Sequence, residues 1–194
     1  MNKKFIADYL TQLRSSLSAL NSDDVQSVIT VIEKAFRGNQ QIFIMGNGGS
    51  ASLASHFCCD LSKGTLTRIY DHTEKRLRVI SLTDNVALLT AFANDTSYDD
   101  IFAQQLNNLV NKNDVVIAIS GSGNSKNIIK AVDLAHKMGA ITVGLLGFDG
   151  GKLEDMVNHK IVVPSKNYGV IEDTHSALAH LISASLAKLK NEHE

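Results

Sequence analysis

The chain has 194 residues, enough for one domain with a substantial core, and its 44% hydrophobic and 20% charged content is that of a water-soluble globular fold. A net charge of −1 without long runs of like charge speaks against nucleic-acid binding, and no apolar stretch nears the ~20 residues a membrane span needs. Asp8 interrupts the opening stretch where a secretory leader needs an apolar run, and the two cysteines, Cys58 and Cys59, are neighbours, which rarely pair with each other; together these predict a reduced, cytoplasmic protein.

Phe5, Ile6, Tyr9, Leu10, Leu13, Leu17 and Leu20 fall at helical spacing and predict a first helix over residues 3–20. Asn21-Ser22-Asp23-Asp24 reads as a break and a new cap. A second helix follows, with Val25, Val28, Ile29, Ile32 and Phe36 on one face and Gly38 as its stop. The period then changes. Short apolar runs, QIFIM, LRVISL, DVVIAIS, ITVGLLG and HKIVVPS, alternate with helical stretches near 50–62, 86–93, 99–110, 125–138, 151–157 and 170–190. Five strands alternating with helices predict an α/β fold, a five-stranded parallel sheet flanked by helices. Only one proline, Pro164, and no linker-like stretch interrupt the chain, so 1–194 reads as a single domain with an N-terminal helical hairpin over 1–38.

Two of the predicted strands run into similar loops: IFIMGNGGSAS and VVIAISGSGNSKN. Each is an apolar strand, then small residues, then a polar helix start. Such a loop suits an anion, because glycine lets the backbone come close and a helix N-terminus is electropositive. Either loop alone reads equally well as an ordinary turn with a serine cap. Two in one sheet favour a shared ligand at the strand ends. The GNGGSA string at 46–51 fits a dinucleotide fingerprint, but the acidic residue that fingerprint needs about 20 positions on is missing. The first acidic residue closing the next strand is Asp84, and no Walker-type string is present. A small phosphorylated molecule fits better than a nucleotide.

His56 and Asp60 stand four residues apart on the helix leaving the first loop and share a face. Glu172, Asp173, His175 and His180 lie on the final predicted helix. A histidine and a carboxylate from each helix would make a metal site or an acid–base pair, though capping and surface polarity explain each residue singly. Helical spacing leaves Glu172 and Asp173 both open as the partner of His180, and Asp173 and His175 could face solvent. His72, His136, His159 and His193 read as surface residues.

The strings GNGGSAxxAxH at 46–56, AND at 93–95, SxSGxS at 120–125 and VPS ahead of a helix bearing H-x4-H resemble the sugar isomerase (SIS) domain, and within it the bacterial phosphoheptose isomerases, over nearly the whole chain. The resemblance implies a cytoplasmic homotetramer, assembled through the N-terminal helices, that interconverts sedoheptulose 7-phosphate and D-glycero-D-manno-heptose 7-phosphate through an enediol. It implies substrate contacts at Asn47, Gly48, Gly49, Ser50, Asn94, Asp95, Ser120, Gly121, Ser122, Ser125 and Glu172, with Asp60 as base and His180 as acid. It also implies one zinc per subunit on His56, Asp60, Glu172 and His180. This chooses Glu172 over Asp173 on family grounds alone.

The chain departs from that pattern at several positions. Asp60 stands where Glu is usual, Glu172 where Gln is usual, and Gly121 where Thr is usual; an expected Asp reads Gly169, and an expected Gly-Arg reads Lys63-Gly64. Alternative expectations are an isomerase for a different sugar phosphate and a non-catalytic SIS protein that binds a partner such as the replication initiator DnaA. A sugar-phosphate-sensing regulator is a further alternative, but no DNA-binding segment is visible. Four retained metal-type side chains favour the enzyme.

Overall fold

The computed structural model describes residues 3–191. Eight helices, α1 (Lys3–Ser18), α2 (Ser22–Arg37), α3 (Gly49–Cys59), α4 (Val86–Asp95), α5 (Ile101–Leu109), α6 (Lys126–Lys137), α7 (Leu153–Met156) and α8 (Tyr168–Asn191), surround five strands. The strands are β1 (Gln41–Gly46), β2 (Arg78–Ser81), β3 (Val115–Ser120), β4 (Ile141–Gly147) and β5 (His159–Val163). All neighbours pair in parallel in the order β2-β1-β3-β4-β5. This is the single-domain α/β architecture expected of the alternating pattern.

Strand residues alternate between two cores, as a pleat of period two requires. Ile42, Ile44, Val115, Ile117, Val143 and Ile161 face one side, under α2, α3 and α8. Phe43, Met45, Val116, Ala118 and Leu146 face the other, under α5 and α6. Because both faces are covered, the central strands carry unbroken apolar runs; all six residues of β3 are buried.

The local signals act as read. The Asn21 side chain accepts from the Asp23 and Asp24 amides, with both acids in the first turn of α2 and Lys34 and Arg37 in the last. The departures have local causes. The expected helix over 99–110 begins with a short 3-10 turn at Tyr98–Asp100 and becomes α-helical only at Ile101. The expected 151–157 helix shrinks to the single turn of α7, because Gly150 and Gly151 both take positive φ, at 80° and 54°. The helix expected to end at 62 turns into a π-helical segment, Asp60–Gly64. The two N-terminal helices both pack on α8, and α2 also covers the sheet edge at β5.

In this strand order β1 and β3 lie side by side, with Gly46 in register with Ile119. The chain leaves β1 towards one edge of the sheet and leaves β3 towards the other. The loops after them diverge and open a crevice at the carboxyl ends, where ligands of open α/β sheets bind.

Candidate active site

The first loop turns through Gly48, whose φ of 57° is left-handed, and enters α3 directly. Ser50 is buried in the first turn of α3, its amide on the Asn47 carbonyl at 3.0 Å. The Asn47 side chain is committed to structure. It exchanges a reciprocal amide pair with Asn127, at 2.9 and 2.8 Å, and its oxygen also accepts from the Tyr98 hydroxyl at 3.0 Å. Asn127 is 2% exposed and ties the first loop to the start of α6. The sequence reading missed it; the only signal was an amide residue closing the string SGSGNSKN. Between this loop and α4 lies a cavity of about 330 Å³, bounded by Asn47, Gly48, Thr83, Leu89, Ala93 and Tyr98. Asn94 and Asp95 end α4 at the surface, with Asn94 Nδ2 donating to Asp95 Oδ1 at 2.8 Å.

The second loop is held from behind. Gly147 and Leu153 amides donate to the Gly121 and Gly123 carbonyls at 3.0 and 3.1 Å, and Asn124 Nδ2 donates to the Ser122 carbonyl at 2.8 Å. The carbonyls are thus occupied on the β4 side. Gly123 has φ 61°, and a Cβ there would lie 1.8 Å from the Gly150 carbonyl oxygen, so no other residue fits without moving the backbone. Ser120 Oγ accepts from the Gly123 amide and Ser122 Oγ from the Asn124 amide, both at 3.2 Å. Ser125 occupies the cap position of α6 without using its hydroxyl to cap. That leaves a hydroxyl and a helix N-terminus together for an anion.

At the other end of α3, three side chains converge. His56 Nε2 and His180 Nε2 are 2.9 Å apart, and Asp60 Oδ2 lies 3.3 Å from the first and 3.6 Å from the second. Asp60 Oδ2 is buried with no hydrogen-bond partner among the described residues. Two imidazole lone pairs and a carboxylate oxygen aimed at one point repel unless a proton or a cation lies among them. The ligand atoms on a tetrahedral zinc stand about 3.3 Å apart, so the separations suit one metal ion, and the orphaned carboxylate oxygen is what such an ion would satisfy. α3 delivers His56, the first residue of the π segment delivers Asp60, and α8 delivers His180.

Glu172 is not in that cluster. Its carboxylate packs against Gly49, where an added Cβ would be 2.7 Å from Oε1. Asp173 is also elsewhere, accepting from the Tyr9 hydroxyl at 2.6 Å; that bond to a carboxylate raises the Tyr9 phenol above its ordinary value. His175, which could have faced solvent, is fully buried instead, with Nε2 on the Leu146 carbonyl at 3.0 Å. Burial pushes its imidazole below the ordinary range. His136 is exposed as expected and meets Thr142 Oγ1 at 2.8 Å, whereas His159, in β5, is half-buried and meets Ser27 Oγ at 2.8 Å; His193 lies outside the described residues.

A hydroxyl cluster at the end of β2 also escaped the sequence reading. Ser55, Ser81 and Thr83 all donate to Asp84 Oδ1, Ser81 at 3.0 Å and Thr83 at 3.3 Å. It pins the middle of α3 beside His56. No spacing rule flags it, because its members come from a helix, a strand and a turn.

The SIS domain family model matches residues 6–147. The chain belongs to the SIS domain family. The phosphoheptose isomerase of Helicobacter pylori strain P12 is 40% identical over 182 residues, which cover 94% of this chain and 91% of that protein. Two solved phosphoheptose isomerases share the fold over nearly their whole length. GmhA from Neisseria gonorrhoeae has a TM-score of 0.84 at 27% identity and covers 94% of this chain and 95% of its own. The enzyme from Francisella tularensis has 0.86 at 26%, with 95% of each chain covered. Within the SIS family the chain is therefore grouped with the phosphoheptose isomerases. No helix among the described residues is long and apolar enough to cross a membrane.

Proposed function

We propose that the chain is an aldose–ketose isomerase that interconverts sedoheptulose 7-phosphate and D-glycero-D-manno-heptose 7-phosphate. The observation that carries this is the convergence of His56, Asp60 and His180 between α3 and α8, in a fold that also sets a serine-rich helix start at the strand ends. Isomerisation removes a proton next to the carbonyl carbon, passes through an enediol and returns the proton to the neighbouring carbon. It needs a base and an acid at one locus. Asp60 is assigned as base, taking the carbon-bound proton. His180 is assigned as acid, serving the oxygens that exchange hydroxyl and carbonyl character when its Nε2 carries a proton and not a metal ion. The phosphate is placed among Ser120, Ser122 and Ser125, with the Gly121 backbone beside it, while Asn47 to Ser50 shape the opposite wall. Asn94 and Asp95, at the end of the helix that bounds the cavity, are assigned to the sugar hydroxyls, and Glu172, between the two walls, to the substrate as well.

His56, Asp60 and His180 would hold a divalent ion, which we take to be one zinc per subunit from the two nitrogen and one oxygen donors; Glu172, the fourth donor the family resemblance offers, stands about two helical turns before His180 on α8. When bound, such an ion polarises the substrate's carbonyl oxygen. A cytoplasmic setting fits the two adjacent thiols, neither of them in a disulfide. A homotetramer using the N-terminal helices fits the exposed apolar residues of α1.

Proton NMR of the protein incubated with each heptose 7-phosphate tests the reading: either sugar should convert to the same equilibrium mixture. His180→Ala should slow the reaction at least about 100-fold, as expected for loss of a general acid. If both heptose phosphates stay unchanged while another ketose or aldose phosphate in a parallel panel is interconverted, the substrate assignment is wrong. If none reacts, the non-catalytic alternative replaces it.

A further inference from the structure

Tyr168 is the first residue of α8 and is 55% exposed. Its ring lies against Gly121 so closely that a Cβ on that glycine would stand 3.0 Å from Cε1. The ring also meets Phe148 edge to face, with centroids 4.8 Å apart. Its hydroxyl has no hydrogen-bond partner among the described residues. Phe148, just past the end of β4, has φ 51°, a left-handed backbone that a bulky residue avoids. The segment after it is the one whose Leu153 amide and Lys152 amide, the latter on Asn124 Oδ1 at 3.2 Å, hold the serine loop. A strained phenylalanine, an aromatic ring and a bare glycine thus form a row at the lip of that loop. Glu172, one turn further along α8, closes on Gly49 of the other loop.

We propose that Tyr168, braced by Phe148, is a substrate-contacting, specificity-determining residue, the aromatic wall of the sugar-phosphate site. A ring at that lip faces the C–H side of the carbon chain next to a phosphate held by Ser122 and Ser125, and its free hydroxyl is a donor for the first sugar hydroxyl beyond. The left-handed turn at Phe148 persists because it supports this ring. The wall selects for the carbon chain and not for the phosphate group. The assignment rests on the reading of the serine loop as the phosphate site.

The test compares Tyr168→Ala, Tyr168→Phe and Ser122→Ala, with sedoheptulose 7-phosphate as substrate and inorganic phosphate as competing ligand. Tyr168→Ala should raise KM for the sugar phosphate about 10-fold, change kcat less than about 2-fold and leave inhibition by inorganic phosphate unchanged. Tyr168→Phe should recover most of the KM, since the ring supplies most of the contact. Ser122→Ala should weaken both ligands. If Tyr168→Ala leaves KM unchanged, or weakens inorganic phosphate as much as the sugar, the wall is refuted and the residue merely shapes the loop. If Ser122→Ala weakens neither ligand, the phosphate-site reading fails and takes this assignment with it. Since Tyr168 is more than half exposed, its truncation should leave the thermal midpoint within about 2 °C, so a folding defect is read separately.

Discussion

The two roles proposed for Asp60 conflict. As a metal-type donor its Oδ2 is buried between two imidazoles, and as a base it must reach the substrate's carbon-bound proton. Asp is one methylene shorter than Glu, and a displacement of about 1 Å can cost ~100-fold in rate. Asp60→Glu should therefore raise turnover on sedoheptulose 7-phosphate. If it abolishes turnover, the shorter side chain is fitted to another substrate. Metal content by mass spectrometry should fall sharply in His56→Ala and much less in Glu172→Gln, because the Glu172 carboxylate packs on Gly49 outside the three-residue cluster. His175 makes a different prediction. The Leu146 carbonyl can only accept, so Nε2 carries the proton, and Nδ1 is a buried lone pair without a partner among the described residues. Once unfolded, the imidazole takes up a proton near its ordinary value of 6.5, which the buried ring resists. Protons then favour the unfolded state, and this contribution to stability, present above 6.5, is lost as pH falls below it. Urea midpoints at pH 7 and pH 5 should differ less in His175→Gln than in the parent.

At the scale of elements, α8 is the organiser. Tyr168 and Ile171 close on Gly121 and Gly147, Glu172 closes on Gly49, and His180 meets His56. Its far end is anchored by Lys190, whose ammonium donates to Glu74 at 3.1 Å and to the Thr65 carbonyl at 2.9 Å. Amides of Thr67 and Arg68 bond the Glu74 carboxylate and, with Lys190, hold it down at about 2. Its stabilising effect is complete above the ordinary 4.5 and disappears as pH falls towards 2. Glu74→Ala strands a buried ammonium and should cost about 3–5 kcal/mol in denaturant unfolding. Gly123→Ala should cost several kcal/mol, since strain in φ adds to a clash with the Gly150 carbonyl. The helices, strands and strand-end loops were legible because periodicity and glycine strings are local signals. The Asn47–Asn127 pair, the Asp84 cluster and the Glu74–Lys190 anchor were not. Each joins residues from 29 to 116 positions apart, and no local pattern marks the partner. The acid and base assignments rest on motif resemblance; helical spacing alone left Glu172 and Asp173 undecided, and the structure gives them separate surroundings, one on Gly49 and one on Tyr9.

Among the described residues, α1 groups several exposed apolar side chains: Phe5, Ile6 and Leu10 are 63%, 59% and 59% exposed. Apolar side chains grouped on one helix are what an assembly interface requires. Sedimentation at micromolar concentration should give a tetramer, and the triple change Phe5→Ser, Ile6→Ser, Leu10→Ser should shift it to smaller species while leaving the far-ultraviolet circular dichroism intact. A stable monomer for the parent chain would refute the assembly.

That α8 follows all five strands in the chain also sets the order in which the fold can close. A nascent polypeptide that has emerged as far as Val163 already holds all five strands, His56 and Asp60, yet lacks Glu172 and His180. It also lacks Val170, Ile171, Leu178, Ala179, Ile182 and Leu186, the apolar row that seals one side of the sheet. Until α8 is made, His180, the proposed acid, is absent and the sheet stands open on the same side. Synthesis of α8 and closure of the core therefore coincide, and a product cut short before α8 is exposed to proteolysis and lacks two of the side chains proposed for the chemistry.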